Sequence, residues 1–383
     1  MKLHPVILII ALSLALTGTL RGQRVKFRLA NQISGWTTAN FSDTMRFQTG
    51  GRYIPVLSIS DSLSGGKMLD AEMAVNGYGN LSYSRFDSEA DGNIKPYRFW
   101  LRFSTNRLEL RAGLQKINFG SASVLRPLMW FDKTDSRDPL QMTDGVYGLL
   151  GRYYFRKTAN IWLWGLAGNT KVRGWEVVPT VKRSPEYGGR FQLPVPGGEA
   201  ALTFHHRRAD YADYYQGAPA NLPTVFNEEK AGFDGKWDIG PGLWFEYVVK
   251  HNDPDNGILP PWETYMNIGL DYTVPLGNGI SLATEFFRYA NKPKWSKSGI
   301  DNRYSVLSAN YPFGLMNTFM AMVYYNWDQE EWYRFVYIQR KYDYWSFYLM
   351  AFWNPERFSL YGAEKGRNLF TGKGLQFMAV VNF

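Results

Sequence analysis

Cysteine is absent from this chain of 383 residues, and histidine occurs only 4 times. Without cysteine there is no disulfide, no thiolate nucleophile, no thiolate metal ligand and no lipid attached to a cysteine. The sequence also lacks an H-E-x-x-H motif, a G-x-S-x-G motif and a glycine-rich phosphate loop. We therefore expect no enzymatic activity, no metal site and no cofactor.

Long apolar runs are absent once the first 22 residues are set aside. A helix that crosses a bilayer needs about 20 consecutive, mainly apolar residues, and no later segment provides them. The formal net charge is +9, but the basic residues are scattered along the chain rather than clustered. This distribution, on a chain that is expected to be exported, predicts no nucleic-acid partner.

Residues 1–22 read MKLHPVILIIALSLALTGTLRG, with one cation at Lys2 and an apolar core from Val6 to Leu16. This layout is typical of a secretory signal peptide. We expect cleavage near Gly22, which leaves residues 23–383 as a single domain. The alternative is an uncleaved membrane anchor, but the apolar core is shorter than the roughly 20 residues that span a bilayer.

Alternation with period 2 recurs through the rest of the chain. It is clear in YRFWLRF (97–103), in WETYMNIGLDYTV (262–274) and in LQFMAVVNF (375–383). Strict alternation of apolar and polar residues predicts β-strands with two different faces. We predict strands at 25–38, 43–58, 66–86, 94–105, 107–118, 145–156, 158–168, 186–195, 198–210, 229–240, 242–252, 260–275, 279–291, 302–313, 316–327, 331–341, 344–353 and 373–383.

The joints between these strands distinguish a barrel from a soluble sandwich. From Ile94 onward, short and long joints alternate, and only the joint 328–330 breaks the pattern. Tight turns at one end and long loops at the other are typical of up-and-down barrels of the bacterial outer membrane, whereas Greek-key sandwiches do not sort their joints in this way. The sequence therefore predicts an all-β fold, a closed antiparallel transmembrane β-barrel with about 18 strands, or 16 if two merge.

The last predicted strand ends in an aromatic residue, Phe383. In a closed barrel this strand must pair with the first strand, because lipid offers no partner for an open edge. A terminal aromatic resembles the carboxy-terminal signal that the barrel-assembly machinery of bacterial outer membranes reads. The alternative is that Phe383 is one more ring at the membrane interface.

Residues 108–148 carry the most distinctive pattern. It runs R-x-G-x-Q-x-I-x-F-G from Arg111 to Gly120 and continues in a D-x-R-D-P loop from Asp135 to Pro139. The pattern resembles porin-like and alginate-export-like outer-membrane barrels, although those families often have tryptophan where Phe119 stands. The resemblance implies a barrel that conducts a substrate and does not identify the solute.

The joint 120–144 is unusually apolar for a surface loop. We expect it to fold into the lumen and narrow it, because its apolar side chains are unsuited to water. It could instead form an external lid or contact another protein. The candidate constriction residues are Trp130, Phe131, Asp135, Arg137 and Asp138.

Charged residues occupy the faces opposite the lipid side of the predicted strands. Strands between 94 and 210 are mainly cationic on this face, and strands between 229 and 291 are mainly acidic. Such arcs would set a transverse field in a pore; alternatively, the charges pair across strands and fill a closed interior, as in small barrels. The candidate pore-lining residues are Arg98, Arg102, Glu109, Arg111, Gln115, Arg152, Arg190, Arg207, Asp234, Glu246, Glu263, Asp271 and Glu285.

Aromatic residues are abundant, with 25 Tyr, 25 Phe and 14 Trp. Amphipathic rings suit the two interfaces of a membrane, so most tryptophans are assigned to outer girdles. The girdle candidates are Trp130, Trp162, Trp164, Trp262, Trp327, Trp332, Trp345 and Trp353.

These observations predict a porin-like channel for passive passage of small polar or charged solutes, in contact with outer-membrane lipid. One alternative is a structural or assembly component of an envelope secretion or polysaccharide-export machine. A second is an outer-membrane hydrolase built on His206, Asp210 and Asp213. The sequence leaves the solute, the oligomeric state and any partner chain open.

Overall fold

Eighteen antiparallel strands form the fold of the described residues. The computed structural model describes residues 25–42, 46–84, 87–156, 158–212, 224–253, 259–292, 299–355 and 370–383. The predicted count of 18 strands is confirmed, and the alternative of 16 is wrong. The strands are β1 (Lys26–Asn40), β2 (Arg46–Leu63), β3 (Lys67–Ser84), β4 (Ser88–Ser104), β5 (Leu108–Gln115), β6 (Val146–Tyr154), β7 (Asn160–Leu166), β8 (Glu186–Val195), β9 (Gly198–Asp210), β10 (Val225–Asp238), β11 (Gly242–Asp253), β12 (Trp262–Val274), β13 (Ile280–Lys292), β14 (Asp301–Phe313), β15 (Asn317–Asn326), β16 (Glu331–Lys341), β17 (Trp345–Trp353) and β18 (Lys373–Asn382).

The sheet closes on itself because each strand pairs with its neighbours in sequence and β1 also pairs with β18. Thr37 of β1 lies opposite Phe377 of β18. At the end of this seam, the backbone groups of Asn31 and Phe383 exchange two hydrogen bonds of 2.7 and 3.0 Å. Closure removes the free edges that would otherwise leave polar backbone groups without partners in lipid.

No helix among the described residues is long and apolar enough to cross a membrane.

Side chains alternate between a packed inner face and an exposed outer face. The predicted outward positions Leu110, Ile268 and Phe377 are 40%, 45% and 50% exposed. On β9, Thr203 and His205 are buried, whereas their neighbours Leu202 and Phe204 are exposed. Water would make so extensive an apolar surface unfavourable, whereas acyl chains make it the expected outer face of a membrane barrel.

Strands β2, β3 and β4 are longer than the other strands. β2 and β3 each contain 18 residues, and β4 begins at Ser88 rather than at the predicted residue 94. The segment 88–93 reads SEADGN, so it carries no apolar alternation, but it pairs with β3. Its strand conformation therefore comes from the hydrogen bonds of a neighbour, which the local sequence does not report.

The girdle assignment is right for some tryptophans and wrong for others. Trp327, Trp332 and Trp345 are 51%, 48% and 47% exposed on the outer face. Trp130 and Trp164 are instead buried in the main hydrophobic cluster of the interior. The reason is that Trp164 shares the inward face of β7 with Leu166, and Trp130 belongs to a connection that packs inside the barrel.

Closure can be tested by a covalent link across the seam. Gly35 and Ala379 lie opposite each other on β1 and β18, within the span of a disulfide. We expect the Gly35→Cys/Ala379→Cys protein to oxidise to an intramolecular disulfide that joins the two ends of the chain. It should migrate faster than its reduced form on a denaturing gel.

The matched control is Gly35→Cys/Leu375→Cys, in which the second cysteine is displaced along β18 by about 13 Å. Equal cross-linking of both pairs, or none of the first pair, would contradict the seam register. The native chain contributes no cysteine of its own.

Candidate functional site

The connection between β5 and β6, here called the first loop (116–145), is anchored to the inner wall by carboxylates. Glu246 on β11 accepts hydrogen bonds from the backbone N–H groups of Ser121 at 2.5 Å and Ala122 at 2.7 Å. The N–H of Leu128 donates to the other oxygen of the same carboxylate at 3.2 Å. Since Glu246 points inward from β11, the first loop lies inside the barrel.

Glu285 on β13 holds the next turn of the first loop. Its carboxylate accepts from the N–H groups of Ser123 (2.8 Å), Val124 (2.9 Å) and Leu125 (2.7 Å). Asn267 on β12 donates both to Glu285 at 3.0 Å and to the carbonyl of Leu125 at 2.6 Å. Charge-assisted hydrogen bonds to consecutive N–H groups fix the backbone of a segment that has no regular structure.

The aromatic residues of the first loop pack on rings of the wall. Phe131 lies 5.4 Å from the Trp164 ring and 5.0 Å from the His205 ring. Trp164 also stacks on Phe119 at 5.7 Å, and Trp130 is buried in the same cluster. These contacts exclude the rings from water and place this part of the first loop against the wall rather than above the barrel mouth.

The D-x-R-D-P segment folds back on itself. Arg137 binds Asp135 through two nitrogens, at 2.9 and 2.7 Å, and its guanidinium lies 5.1 Å over the Phe370 ring. Asp138 accepts from the N–H of Leu140 at 2.9 Å, and burial raises the pKa of Asp138. The first loop therefore crosses from the part of the wall formed by β11–β13 to Phe370, which lies just before β18.

A second connection, here called the second loop (167–185), also enters the barrel, and the sequence analysis missed it. Trp175 stacks on Phe287 of β13 at 5.1 Å and donates to the carbonyl of Arg126 at 2.7 Å. Gly174 has φ 48°, and a Cβ there would overlap the carbonyl oxygen of Met129. The one available signal was the apolar cluster around Trp175 in an otherwise polar joint.

Many predicted pore-lining charges are buried and paired. Arg190 binds Asp234 at 2.5 Å, and the Arg207 guanidinium binds Glu228 at 2.6 and 2.8 Å. These pairs join the predicted cationic arc to the acidic arc, because the two arcs meet where β9 pairs with β10.

The second loop enters the same charged network. Arg173 binds Glu186 at 2.6 Å, and Lys230 binds Glu176 at 3.3 Å. Lys250 in turn binds Glu263, another predicted pore-lining residue, at 2.7 Å. All of these groups are buried, so their charges are neutralised within the protein.

A smaller group of predicted residues remains in contact with water on β3 to β6. Arg102 binds Asp70 at 2.9 Å, and Arg111 binds Glu109 at 3.0 Å. The side chains of Arg102, Arg111 and Glu109 are 28%, 15% and 14% exposed. Arg152 reaches Glu109 at 3.4 Å. These four predicted residues therefore form one cluster of charges on adjacent strands.

The other predicted residues have separate positions. Arg98 is buried and donates to the carbonyls of Tyr97 at 2.5 Å and Thr143 at 3.1 Å. Gln115 is buried and donates to the carbonyl of Gly148 at 3.0 Å. Asp271 is partly buried on the inward face of β12.

The residues of the hydrolase alternative are not brought together into a common site among the described residues. His206 stacks on Tyr187 at 4.9 Å, and its Nδ1 lies 3.6 Å from Glu229. Asp210 accepts from the N–H of Ala212 at 3.0 Å, and Asp213 lies outside the described residues. Within the part of the chain that the structure describes, no group of three or more metal-ligating side chains is assembled.

Comparison with known proteins identifies the fold. No protein-family model matches the sequence, and no curated protein matches it as a relative. OccK7 (OpdD) from Pseudomonas aeruginosa has a similar structure, with a TM-score of 0.56, 13% identity, and coverage of 95% of this chain and 99% of that chain. OccK5 (OpdH) from the same organism has a TM-score of 0.55 and 13% identity, covering 94% and 97%.

An anion-selective porin from Comamonas acidovorans is also similar, with a TM-score of 0.51, 11% identity, and coverage of 94% of this chain and 100% of that chain. At these identities the similarity establishes the fold alone. The chain has the closed β-barrel fold of the outer-membrane porins, over nearly its whole length and theirs.

The anchoring of the first loop can be tested at Glu285. The Glu285→Ala change leaves the N–H groups of Ser123, Val124 and Leu125 without their acceptor. Val124 and Leu125 are buried, and each unsatisfied buried donor costs about 1–3 kcal/mol. We therefore expect denaturant unfolding in detergent to show a loss of at least about 2 kcal/mol in the free energy of unfolding. Glu199→Ala, which alters an exposed carboxylate, is the control. Equal stability of the two variants would contradict the anchoring role.

The contact between the two loops can be tested at Gly174. Gly174→Ala places a methyl group against the Met129 carbonyl in an unfavourable backbone conformation, so the second loop should separate from the first. We expect trypsin to cleave after Lys171 or Arg173 several times faster than in the parent. Gly165→Ala is the control, because a Cβ there meets open space. Unchanged cleavage in Gly174→Ala would contradict the interlocking of the loops.

Proposed function

We propose that this protein is an outer-membrane channel for passive passage of small polar or charged solutes. The observation that carries the proposal is a closed barrel whose inner face holds charged side chains and a loop that is anchored inside. The similar structures include a protein described as an anion-selective porin. A channel of this kind needs neither catalysis nor a cofactor.

In this proposal the first loop narrows the lumen. Its anchors, Glu246 and Glu285, place its apolar half against β11 and β13. The solute path then runs on the opposite side, along β2 to β6. The cluster of Arg102, Glu109 and Arg111 keeps contact with water there. Charges in a narrow, low-dielectric passage act strongly on a passing ion.

Export and assembly belong to the same proposal. Residues 1–22, which lie outside the described residues, would direct export and be cleaved, leaving residues 23–383 as one barrel domain. Phe383 would act as the assembly signal. Its support is that Phe383 directly follows β18 and exchanges two backbone hydrogen bonds with Asn31 of β1. The exposed apolar outer face would contact outer-membrane lipid.

A structural or assembly component of an envelope machine is the second candidate. The dense packing of the interior favours it, since Arg207, Glu246 and Asn267 are all fully buried. A barrel that is plugged on every side would conduct no ions. The two candidates therefore differ in whether the purified protein conducts ions.

Conductance in planar bilayers tests the proposal. Purified mature protein should show discrete open steps. The Arg102→Ala/Arg111→Ala variant leaves Asp70 without its cationic partner and Glu109 with Arg152 alone, so its reversal potential in a KCl gradient should shift towards preference for K⁺. Arg340→Ala, on the exposed side of β16, is the control. Silence from folded parent protein would overturn the proposal and favour the structural role.

A further inference from the structure

The two ends of the barrel can be told apart by the lengths of their joints. All joints of more than five residues, such as 116–145 and 354–372, leave from the same end of the antiparallel wall. In outer-membrane barrels the long loops face the outside of the cell. The start of β16, the end of β17 and the start of β18 therefore lie at the outer end.

Two outward arginines near this end are neutralised by the protein itself. Arg288 of β13 binds Asp301, and Arg303 of β14 binds Asp328. The two arginines lie opposite each other on adjacent strands. These cations therefore need no anion from outside the protein.

Arg334 of β16 differs from both of them. It alternates with the buried Tyr333 and Phe335, so its side chain leaves the wall on the outer face. Its guanidinium carbon lies 5.7 Å from the centre of the Trp332 ring and 6.0 Å from that of Trp353, within the range of cation–π attraction. No carboxylate binds it in the part of the chain that the structure describes.

Lys373 of β18 extends the same row of outward side chains. Trp353 of β17 lies opposite Arg334 on one side and opposite Lys373 on the other. Lys373 is exposed, and among the described residues it makes no ion pair. Two steps between directly opposite residues of antiparallel strands amount to about 10 Å. One indole therefore lies between two cations that the protein does not neutralise.

The aromatic residues around this row mark the level of the lipid headgroups. Trp327, Trp332 and Trp353 are 51%, 48% and 39% exposed, and Tyr325 packs on the first two at 4.9 and 4.6 Å. Such rings gather where a membrane meets water. A lipid-facing arginine is unfavourable at the middle of the bilayer and nearly neutral at its surface. The anions available at this level are headgroup phosphates.

We propose that this outer patch (Trp332, Arg334, Trp353 and Lys373) binds a phosphorylated glycolipid of the outer leaflet, with Arg334 and Lys373 on separate phosphate groups. A guanidinium can bind a phosphate through two parallel hydrogen bonds, and a lysine binds it as a point charge. The Trp353 indole between them offers an apolar surface to the sugar. Binding at the outer patch does not depend on conduction through the lumen.

Charge favours a lipid over a second copy of this chain. The outer patch contains no carboxylate. A self-complementary contact between two copies would therefore bring cations against cations, which is unfavourable. The sequence analysis assigned Trp332 and Trp353 to the membrane girdle and selected no charged residue of the outer face.

Titrations followed by native mass spectrometry test the outer patch. Lipid-free mature protein in detergent is titrated with diphosphoryl lipid A, with the same lipid after removal of both phosphates, and with inorganic phosphate. A chelator is present, so that no divalent cation bridges a carboxylate to a phosphate. The diphosphoryl lipid should bind at least about tenfold more tightly than the dephosphorylated one. Inorganic phosphate at the same concentration should not displace it.

Variants then assign the binding to named groups. Arg334→Gln/Lys373→Gln should weaken binding of the diphosphoryl lipid at least about tenfold, and Arg334→Lys, which keeps the charge, should weaken it less. Arg340→Gln/Lys341→Gln is the matched control, because it removes two exposed cations from the other end of β16. This control should bind as the parent does.

Four results would overturn the proposal. They are unchanged lipid binding in Arg334→Gln/Lys373→Gln, an equal loss in the control variant, equal binding of the dephosphorylated lipid, and displacement by inorganic phosphate, which would indicate a site for free anions. Self-association of the lipid-free parent that disappears in Arg334→Gln/Lys373→Gln would assign the outer patch to a second copy, and would also overturn it.

Conductance separates the outer patch from the proposed channel. Arg334→Gln/Lys373→Gln lies outside the lumen, so its single-channel current should equal that of the parent, which also shows that the variant is folded. Parental current together with weakened lipid binding supports both proposals. Phosphate-dependent lipid binding in a protein that conducts no current overturns the channel and leaves the outer patch standing.

Discussion

The requirement that every backbone polar group find a partner inside the protein determines this structure. Lipid cannot replace water as a hydrogen-bond partner, so the sheet has to close, and it does so between β1 and β18. Closure fixes the alternation of faces: exposed apolar residues such as Phe377 outside, and buried polar residues such as Gln376 inside. The inner wall and its carboxylate anchors both depend on this closure.

Closure also explains why the interior contains so many paired charges. An inner wall built for water carries charged side chains, and the two loops that enter it remove much of that water. Charges such as Arg207 and Glu228 then need close partners, because an unpaired buried charge is very unfavourable; they bind at 2.6 Å.

The sequence predicts the strands and their faces well because both depend on local alternation. The outward positions Leu110 and Ile268 are examples. It fails where a distant partner decides the conformation. One case is the start of β4, residues 88–93, which has no apolar pattern but pairs with β3. The other is the second loop, whose entry depends on the contact of Trp175 with Phe287. The charges of the inner face were predictable, but their pairing depends on the register between neighbouring strands.

The lipid contact of alternate residues tests the closed membrane barrel most directly. Single cysteines, each carrying a fluorescent label, are placed at Leu110, Ile338 and Phe377, and at the inward Arg111 and Gln339, in bilayers that contain brominated lipid. The account predicts strong quenching at the first three positions and little at the other two. Equal quenching at neighbouring positions, or none at the outward ones, would contradict it.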